Sequence, residues 1–464
     1  MFFDHYASLV ERWRRRNRGY HAALESIARH YVSAGARVLE VGSGAGDLLA
    51  ATYPSVGVGL DISEAMVRLA SGKYPHLRFL QMPAESLDLG GEKFDYIILS
   101  DLVGLLYDIR LVLDRVRVAC HRHTRIIINW YSRAWQPVLA LAERLGLKYP
   151  QPLLNWTTPE DICNLLHLSG FEVVRLRRHI LAPKRVPLLT AAANRVLAHL
   201  PLLSAFCLSN WIVARPLDLD DRRSEFSVSV ICPCRNEAGN IGEIAARLPA
   251  LGAHTELVFV EGHSRDETLE QCHLAARRHS EKDIQVLVQE GRGKGDAVRL
   301  GFSKATGDIL MILDADLSLA PEDLPQFYEA LASGKADLAN GSRLVYAMDP
   351  KAMRFLNLLA NRLFAVLFSR LTGQHVKDSL CGTKVLWRED YERLARDRAY
   401  FGELDPYGDF DLLFGAAKLN MKIVDIPVRY RQRVYGATNL SRFAGGYVLL
   451  KVCLVAAVKL FFVS

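Results

Sequence analysis

The stretch ILMILDADLS, Ile309–Ser318, indicates how one half of this chain is organised. Its first residues form an apolar run, which predicts a strand buried inside a sheet. The run ends with Asp314 and Asp316, and because they are two residues apart in an extended chain, both carboxylates point to the same side. Two like charges so close repel each other unless a cation or a proton intervenes. The stretch therefore raises the prediction of a metal site at a strand end.

The same carboxylates also have an interpretation that needs no ligand. The segment PEDLPQFYEAL, residues 321–331, predicts a helix, and Asp316 or Ser318 could cap its first turn. Pro321 suits that first turn as well. Taken alone, the two aspartates favour this capping role, so the choice between cap and metal ligand depends on the neighbouring motifs.

Length and composition predict two domains. The chain has 464 residues, of which 50% are hydrophobic and 23% are charged, and a single core stops growing well below this length. The net charge of +7 is concentrated in two clusters, which are either solvated surface or contacts for phosphate or an anionic membrane. The clusters are Arg12, Arg14, Arg15, Arg16 and Arg18, and Arg429, Arg431 and Arg433.

Strand and helix patterns alternate twice along the chain, with a charged break, LDLDDRRSEF, between the two series. This alternation predicts an α/β protein with parallel sheets and helices on both faces. We expect four segments: a first α/β domain at residues 1–216, a linker at 217–226, a second α/β domain at 227–442, and an apolar C-terminal helix at 443–464.

Two apolar segments bear on the membrane. Residues 196–214 carry no formal charge, but we expect a helical insertion followed by the strand NWIVARP rather than a span. In the C-terminal segment, Lys451 and Lys459 interrupt the apolar run, which favours a helix in the membrane interface or, equally, one packed on the core. The N-terminal residues lack the apolar centre of a signal peptide, so the expected location is cytoplasmic.

A glycine-rich loop follows the first predicted strand, in the sequence EVGSGAGDLL. Gly42, Gly44 and Gly46 permit a tight turn and the close approach of a ligand, and Asp61 ends the next strand at the distance expected for a carboxylate that accepts ribose hydroxyls. A dinucleotide site prefers the spacing GxGxxG, which is not found here. The order strand, loop, helix, strand and acid predicts a site for a nucleoside.

Residues 1–216 resemble a class I S-adenosylmethionine-dependent methyltransferase, with a Rossmann-like fold. The resemblance implies that S-adenosylmethionine binds at the glycine loop, that Asp61 holds the ribose, and that Ser100 and Asp101 border the transfer site. The PAES segment, with Ala84 and Glu85, lacks the family's usual acid before its alanine. The cofactor-binding residues implied by position are Glu40, Gly42, Ser43, Gly44, Gly46, Asp61, Ile62, Glu85 and Ser100.

Three more motifs accompany the DAD stretch, each after a predicted strand: PCRNEAGNI, VEGHSRDE and GRGKGDAV. Lys294, in the last of them, lies among glycines where the charge of a nucleotide sugar could be met. With oxygen ligands and substrate phosphates, a hard cation such as Mg²⁺ or Mn²⁺ fits between the two aspartates. The set favours a metal–diphosphate clamp over helix capping.

Residues 227–442 resemble glycosyltransferase family 2, with the GT-A fold, and especially its dolichyl-phosphate mannose synthase branch. The resemblance implies that Asp314 lies at the ribose and shares the metal with Asp316, and that Glu261 meets the base. Glu261 and Ser318 replace the Asp and Gln that the family usually has, which leaves the sugar donor open. The donor-binding residues implied by position are Pro233, Arg235, Glu237, Glu261, Lys294 and Asp314.

The acceptor side is predicted from two later segments. In YGDFDLLFGAAKLN, Asp411 and, less so, Asp409 are acceptor-side candidates, although both could simply favour a helix N-terminus. In IPVRYRQRVYGATNLS, Arg431 and Arg433 share one face if extended, and arginine forks suit phosphate oxygens. A phosphate acceptor is already ionised at neutral pH, so it needs no strong general base.

These observations predict a bifunctional enzyme, a methyltransferase fused to an inverting glycosyltransferase that moves a sugar from a nucleotide donor to a polyprenyl phosphate. Its expected place is the inner face of the plasma membrane, with no nucleic-acid partner. Two alternatives stay open. The first domain could bind S-adenosylmethionine without turnover and act as a scaffold, and the second could act on a saccharide or protein acceptor, with Asp411 as a base.

Overall fold

The computed structural model describes residues 2–152, 155–184, 189–217, 225–346, 355–396, 408–430, 435 and 442–461. The chain forms two compact units. The N-terminal unit is Met1–Leu217 with Phe461–Ser464, and the C-terminal unit is Asp218–Leu460. The bounds of the four segments expected from the sequence stay predictions.

The N-terminal unit alternates strands and helices after three initial helices. The helices are α1 Phe2–Ala7, α2 Val10–Arg16, α3 Arg18–Tyr31, α4 Asp47–Ala51, α5 Glu64–Lys73, α6 Ile109–Val118, α7 Gln136–Arg144, α8 Pro159–Leu168, α9 Leu189–Arg195 and α10 Pro201–Ser204. The strands are β1 Arg37–Val41, β2 Val56–Asp61, β3 Arg78–Gln81, β4 Phe94–Ser100, β5 Cys120–Tyr131, β6 Phe171–His179 and β7 Ser209–Pro216. Short 3-10 turns lie at Ala84–Ser86, Arg133–Trp135 and Leu197–His199.

Its strands form one sheet in the order β3-β2-β1-β4-β5-β7-β6. Strands β1 to β5 are parallel, but β7 runs antiparallel to both of its neighbours, β5 and β6. The expectation of a wholly parallel sheet is therefore wrong here. The reason is local: the chain enters β7 at the edge where β5 ends, with Ser209 opposite Tyr131, and so must run back.

Alternate residues of the central strands enter two different cores. Leu39 and Ile97 pack into a cluster on one face of the sheet, whereas Val38 and Ile98 pack into a cluster on the other. All four are fully buried. Strands covered on both faces are largely apolar runs, and β1, with the sequence RVLEV, is the strand predicted directly before the glycine loop, so that prediction is confirmed.

The C-terminal unit begins with three strand–helix repeats. The strands are β8 Ser227–Cys234, β9 His254–Glu261, β10 Asp283–Val288, β11 Ile309–Ile312, β12 Leu338–Ser342, β13 Lys384–Trp387 and β14 Ile423–Pro427. The helices are α11 Ala238–Arg247, α12 Thr268–Arg278, α13 Lys294–Lys304, α14 Leu324–Ala332, α15 Phe355–Thr372, α16 Arg388–Arg396, α17 Asp409–Lys418 and α18 Arg442–Ala456. A 3-10 turn, Pro321–Asp323, precedes α14, and a π-helical turn, Ala457–Phe461, follows α18.

These strands form a second sheet in the order β10-β9-β8-β11-β13-β12-β14. Strands β8 to β11 are parallel, and β13 is antiparallel to both β11 and β12. A wholly parallel sheet is again the wrong prediction, since β13 enters the sheet from the opposite edge. The parallel half carries the motifs picked out in the sequence.

Both apolar segments have ordered structure. Residues 196–214 form a 3-10 turn, α10 and most of β7, so the predicted insertion and strand are confirmed. In α18, Leu449 and Val452 are buried while Leu450 and Leu454 are exposed, so the part of the helix from Leu449 onward has one packed side and one open side with apolar residues. Across the described part of the chain, we find no helix with the length and hydropathy needed to cross a bilayer.

The turn before β9 allows a test of the backbone conformation in the C-terminal unit. Gly252 has φ +58°, and a Cβ there would overlap the carbonyl oxygen of Phe226. We expect Gly252→Ala to lower the free energy of unfolding by about 2 kcal/mol or more, since a left-handed backbone alone costs an alanine roughly 1–2 kcal/mol. Urea unfolding of the full chain measures the change.

The matched control is Gly242→Ala in α11, where an added Cβ meets open space. This variant should gain up to about 1 kcal/mol from helix propensity. If both alanine variants unfold at the same urea concentration, the constraint at Gly252 is not the one described.

Candidate functional sites

The glycine loop of the N-terminal unit connects β1 to α4 and is hydrogen-bonded to the carboxyl end of β2. The amides of Gly42 and Ser43 donate to the Leu60 carbonyl at 2.7 and 2.8 Å. The Gly44 amide donates to one Asp61 carboxylate oxygen at 2.8 Å, and the Ser63 amide donates to the other at 2.9 Å. A carboxylate has about four lone-pair sites, so Asp61 keeps acceptor capacity for a ligand.

The glycine loop has space for a ligand beside Gly44 but not beside Gly46. A Cβ on Gly44 would meet nothing within 4 Å, whereas one on Gly46 would overlap the Phe79 ring. Both glycines have positive φ, 51° and 77°. The Ser43 hydroxyl is buried and has no hydrogen-bond partner among the described residues. An open face, an orphaned hydroxyl and a half-satisfied carboxylate fit a polar ligand such as S-adenosylmethionine.

Glu40 has a structural contact in this loop. Its carboxylate is buried and accepts a hydrogen bond from the Leu49 amide at 3.0 Å, which ties the end of β1 to α4. Burial raises the pKa of Glu40 well above its ordinary value, and burial also raises the pKa of Asp61. Glu40 therefore supports the loop from beneath, with or without a ligand contact of its own.

The remaining predicted cofactor residues line the same edge of the sheet. Ile62 follows β2 and is 58% exposed. Ala84 and Glu85 form the 3-10 turn after β3, and Glu85 accepts a hydrogen bond from the Tyr107 amide at 3.2 Å. Ser100 ends β4. Because β1 to β4 are parallel, all of these residues gather at one edge, as the sequence predicts.

Beside Ser100 lies a polar cluster around Asp101, which the sequence placed only at the border of the site. Asp101 has φ +50°, an uncommon backbone conformation for a residue other than glycine. Its carboxylate accepts hydrogen bonds from the Tyr20 hydroxyl at 2.6 Å and from the Asn129 amide nitrogen at 2.9 Å. Burial raises the pKa of Asp101 to about 6 against the opposing effect of these bonds and of Lys148.

Tyr20 and Asn129 were missed by sequence reasoning. Tyr20 lies on α3, 81 residues before Asp101, and no local pattern links the two. Asn129 is buried in β5, and a polar residue directly after the apolar run RIII was the one available signal in the sequence.

In the C-terminal unit, the first two motifs meet at the ends of β8 and β9. Cys234 pairs with Glu261 across these strands, so Pro233, Arg235 and Glu237 lie beside Glu261. Both acids are buried. The Glu237 carboxylate accepts a hydrogen bond from the side-chain amide of Asn240 at 2.8 Å. The Glu261 carboxylate accepts one from the backbone amide of Ser264 at 2.5 Å. Arg235 is exposed.

Lys294 joins two of the predicted acidic residues. Its ammonium lies 2.7 Å from an Asp314 oxygen and 3.6 Å from an Asp409 oxygen. Burial opposes ionisation of Asp314, but Lys294 keeps the pKa of this carboxyl below its ordinary value. Gly382 lies in the segment CGTK, residues 381–384, and a Cβ there would overlap both Lys294 and Asp314. The sequence treated Lys294 and Asp314 as separate donor contacts, and here they form an ion pair.

Asp316 is buried two residues further on, and one of its oxygens accepts a hydrogen bond from the Ser318 amide at 3.0 Å. The capping alternative is wrong. The residue before the 3-10 turn is Ala320, α14 itself follows Asp323, and neither start has a side-chain cap. Within the described ranges, no group of three or more His, Cys, Asp or Glu side chains is arranged to hold a metal.

An ion pair that the sequence did not predict joins Arg343, directly after β12, to the buried Asp378, which lies between α15 and β13. The Arg343 guanidinium binds the Asp378 carboxylate at 2.7 and 2.9 Å, and Asn361 of α15 donates to the same carboxylate at 2.9 Å. Burial raises the pKa of Asp378, but Arg343 lowers this pKa to about 2. The Arg343 guanidinium also lies 5.1 Å from the centre of the Tyr430 ring.

The acceptor-side candidates are described in part. Asp409 is buried and Asp411 half-buried in the first turn of α17, whose start at Gly408 has no side-chain cap. Arg431 and Arg433 lie outside the described residues, so their predicted phosphate contacts stay predictions. Arg429, just before them, lies with its guanidinium 5.1 Å from the centre of the Tyr346 ring.

Solved structures similar to each unit are known. The crystal structure of a SAM-dependent methyltransferase from Thermotoga maritima, described as a possible histamine N-methyltransferase, is 16% identical and covers 46% of this chain and 97% of its own, with a TM-score of 0.37. Glucosyl-3-phosphoglycerate synthase from Mycobacterium tuberculosis, solved with Mn²⁺, UDP and its product, is 18% identical and covers 52% and 82%, with a TM-score of 0.38.

Curated relatives match just under half of the chain. Dolichol-phosphate mannosyltransferase of Pyrococcus furiosus is 31% identical over 220 residues, 46% of this chain and 59% of that protein. Undecaprenyl-phosphate 4-deoxy-4-formamido-L-arabinose transferase of Edwardsiella ictaluri is 31% identical over 216 residues, 46% of this chain and 62% of that protein. The chain thus spans about three-fifths of the length of these two relatives.

Two family models match separate parts of the chain. Residues 38–122, from β1 to the start of β5, match the methyltransferase domain family. Residues 229–395, from β8 to α16, match glycosyl transferase family 2. The two matches fall on the two sheets and contain the glycine loop and the DAD stretch, respectively. The chain therefore carries a methyltransferase domain and, after it, a domain that belongs to glycosyl transferase family 2.

Proposed function

We propose that the chain is a bifunctional transferase. Its C-terminal unit transfers a sugar, with inversion and with Mg²⁺ or Mn²⁺, from a nucleotide sugar to a polyprenyl phosphate, and its N-terminal unit transfers a methyl group from S-adenosylmethionine. The observation that carries the first activity is the meeting of four motifs at one edge of the second sheet. The proposed domain bounds are 1–216 and 227–442.

The donor side divides its acids between two tasks. Because Lys294 already neutralises Asp314 at 2.7 Å, we assign Asp314 to the ribose and leave Asp316 as the principal metal carboxylate. A divalent cation in such sites takes one or two carboxylates and completes its shell with substrate phosphates and water, which fits a place with few protein ligands. Bound there, the cation would neutralise the leaving diphosphate.

The acceptor side is supported by charge and by the relatives. The relatives matched above are named for transfer to dolichol phosphate and undecaprenyl phosphate. Arg431 and Arg433 follow Arg429 in the sequence, and guanidinium forks suit phosphate. An ionised acceptor oxygen needs no strong base, so Asp411 is assigned to acceptor positioning.

The methyl-transfer side rests on three groups. Asp61 is assigned to the ribose, Ser43 to a polar end of S-adenosylmethionine, and Asp101 to the methyl acceptor. Turnover is proposed because a carboxyl with a pKa of about 6 can take a proton near neutral pH. A scaffold that only bound the cofactor would not need such a group.

We also propose a location on the inner face of the plasma membrane. The exposed side chains of Leu450, Leu454 and Val458 recur along α18 and the turn that follows it, and Lys451 is exposed beside them. A helix with this pattern can lie in the interface with its lysine extended toward lipid phosphates.

The metal assignment is tested with Asp316→Asn. Loss of the charged ligand should reduce sugar transfer on the order of 100-fold or more, because the cation supplies several kcal/mol of charge stabilisation. The assay follows labelled nucleotide sugars, with and without polyprenyl phosphate and Mn²⁺.

Asp283→Asn is the matched control, because Asp283 is an exposed acid at the opposite end of β10. It should leave sugar transfer unchanged. Should Asp316→Asn transfer sugar with the same dependence on Mn²⁺ as the wild type, Asp316 is not a metal ligand.

The cofactor assignment is tested with Asp61→Ala. Removing the acceptor of the ribose hydroxyls should weaken S-adenosylmethionine by roughly 1.5–3 kcal/mol, the usual range for hydrogen bonds to a charged group. Calorimetry measures the binding, and Asp114→Ala, an exposed acid on α6, serves as control. Tight binding of NAD without any binding of S-adenosylmethionine would refute the assignment.

The raised pKa of Asp101 gives a pH prediction. A carboxyl whose pKa is about 6 in the folded chain and 3.8 in the unfolded chain stabilises the folded state below pH 3.8 and loses that contribution as the pH rises to 6. Asp101→Asn should therefore gain stability relative to the wild type between pH 4 and pH 7, on the order of 2 kcal/mol. Urea unfolding measures the difference.

The control for this pH series is Asp114→Asn, whose side chain is half exposed. Its stability relative to the wild type should stay nearly constant over the same range. A flat difference for Asp101→Asn would mean that Asp101 is ionised without cost, and its assignment to proton transfer would fail.

A further inference from the structure

The N-terminal unit carries an apolar surface that its own fold does not use. Helix α7 packs Leu139 against the core of the unit, together with Trp135 just before the helix. Its other side nevertheless exposes Val138, Leu141 and Leu145, with Leu141 56% exposed. The spacing i, i+3, i+7 puts these three side chains in one stripe. A helix that has already buried one face needs no second apolar stripe for stability.

A second apolar segment lies next to this stripe. Leu202 of α10 is 83% exposed and Phe206 is 64% exposed. The Trp135 indole nitrogen donates to the Phe206 carbonyl at 2.8 Å, which joins this segment to the start of α7. We call Val138, Leu141, Leu145, Leu202 and Phe206 together the α7–α10 surface.

The α7–α10 surface lies at the edge of the sheet that holds the glycine loop. Helix α7 follows β5, and α10 precedes β7, which begins with Ser209 opposite Tyr131, near the end of β5. Since β1, β2, β4 and β5 are parallel, their carboxyl ends share that edge with Asp61 and Asp101. Whatever the surface docks onto therefore faces the side of the unit where ligands bind.

The charge around the surface identifies its partner. Residues 133–147 and 192–206 together contain three arginines and one glutamate. Arg133 and Arg144 are exposed, and the glutamate, Glu143, is ion-paired with Lys148 at 2.5 Å. Apolar side chains with a basic rim suit a bilayer with anionic lipid, where the apolar groups enter the interface and each arginine adds attraction.

We infer that the α7–α10 surface docks the methyltransferase unit onto an anionic bilayer, with its ligand-binding edge toward the lipid. Docking is separate from the membrane contact proposed for α18. The corollary that the methyl acceptor is itself held at the membrane rests on the proposed methyl transfer.

The test uses the full chain and two kinds of vesicle, phosphatidylcholine alone and phosphatidylcholine with about 30% phosphatidylglycerol as a roughly physiological anionic fraction. To remove the α18 contact, all variants carry Leu450→Glu and Leu454→Glu. In that background we expect residual binding to the anionic vesicles, and Leu141→Glu with Phe206→Glu should lower it at least about tenfold. Arg133→Gln with Arg144→Gln should weaken binding to the anionic vesicles and reduce its salt dependence.

Val118→Glu is the matched control, because Val118 is 60% exposed on the same unit but lies at the end of α6. It should bind vesicles like its parent. If Leu141→Glu impairs folding by circular dichroism, Leu145→Ser with Phe206→Ser replaces it. Equal vesicle binding by the surface and control variants would overturn the inference.

A change of oligomeric state on Leu141→Glu, without a change in vesicle binding, would also overturn the inference and assign the surface to a second copy of the chain. Sedimentation velocity distinguishes these results. Vesicle binding is measured without S-adenosylmethionine or a nucleotide sugar, so its failure is separate from failure of the proposed activities, which calorimetry and sugar transfer report.

Discussion

The structure depends on one constraint, the shared direction of neighbouring parallel strands. In each sheet, four or more strands end at the same edge, so loops distant in sequence meet there. In the first sheet this edge collects the glycine loop, Asp61 and Asp101. In the second it collects the segments after β8, β9 and β11. The antiparallel strand in each sheet begins at this same edge, so the segments that enter it also lie beside the sites, as Gly382 does beside Lys294 and Asp314.

Acidic side chains gathered at one edge repel each other, and in the second sheet Lys294 offsets this repulsion. An isolated buried carboxylate is costly, and two of them more so. The ammonium lies between Asp314 and Asp409, which leaves Asp316 as the acid of the DAD stretch that Lys294 does not contact in these ion pairs. Close packing is required for this arrangement, since Gly382 has no room for a side chain beside the pair. The glycine at position 382 is thus explained by the ion pair between Asp314 and Lys294, which lie 68 and 88 positions earlier in the chain.

How far the sequence predicted the structure depended on the range of the interaction. Strand β1 and the glycine loop were predictable because apolar runs and glycine spacing are local signals. The antiparallel strand β13 was not, because four residues buried on both faces carry no information on direction. Tyr20 with Asp101, and Arg343 with Asp378, were missed because each pair joins distant segments. The role of Asp314 was divided between ribose and metal, and its contact with Lys294 could be seen only once the fold brought the two motifs together.

The pKa values of the buried acids at the two edges are shifted in opposite directions, because the acids have different partners. Asp314 has a cation at 2.7 Å, which lowers its pKa, so it stays charged at any physiological pH. Asp101 has neutral donors at 2.6 and 2.9 Å, and burial raises its pKa to about 6. A permanently charged acid suits fixed electrostatic contacts, whereas one that titrates near neutral pH suits exchange of a proton. That contrast agrees with the two proposals, an ionised phosphate acceptor at the second sheet and proton exchange by Asp101 at the first.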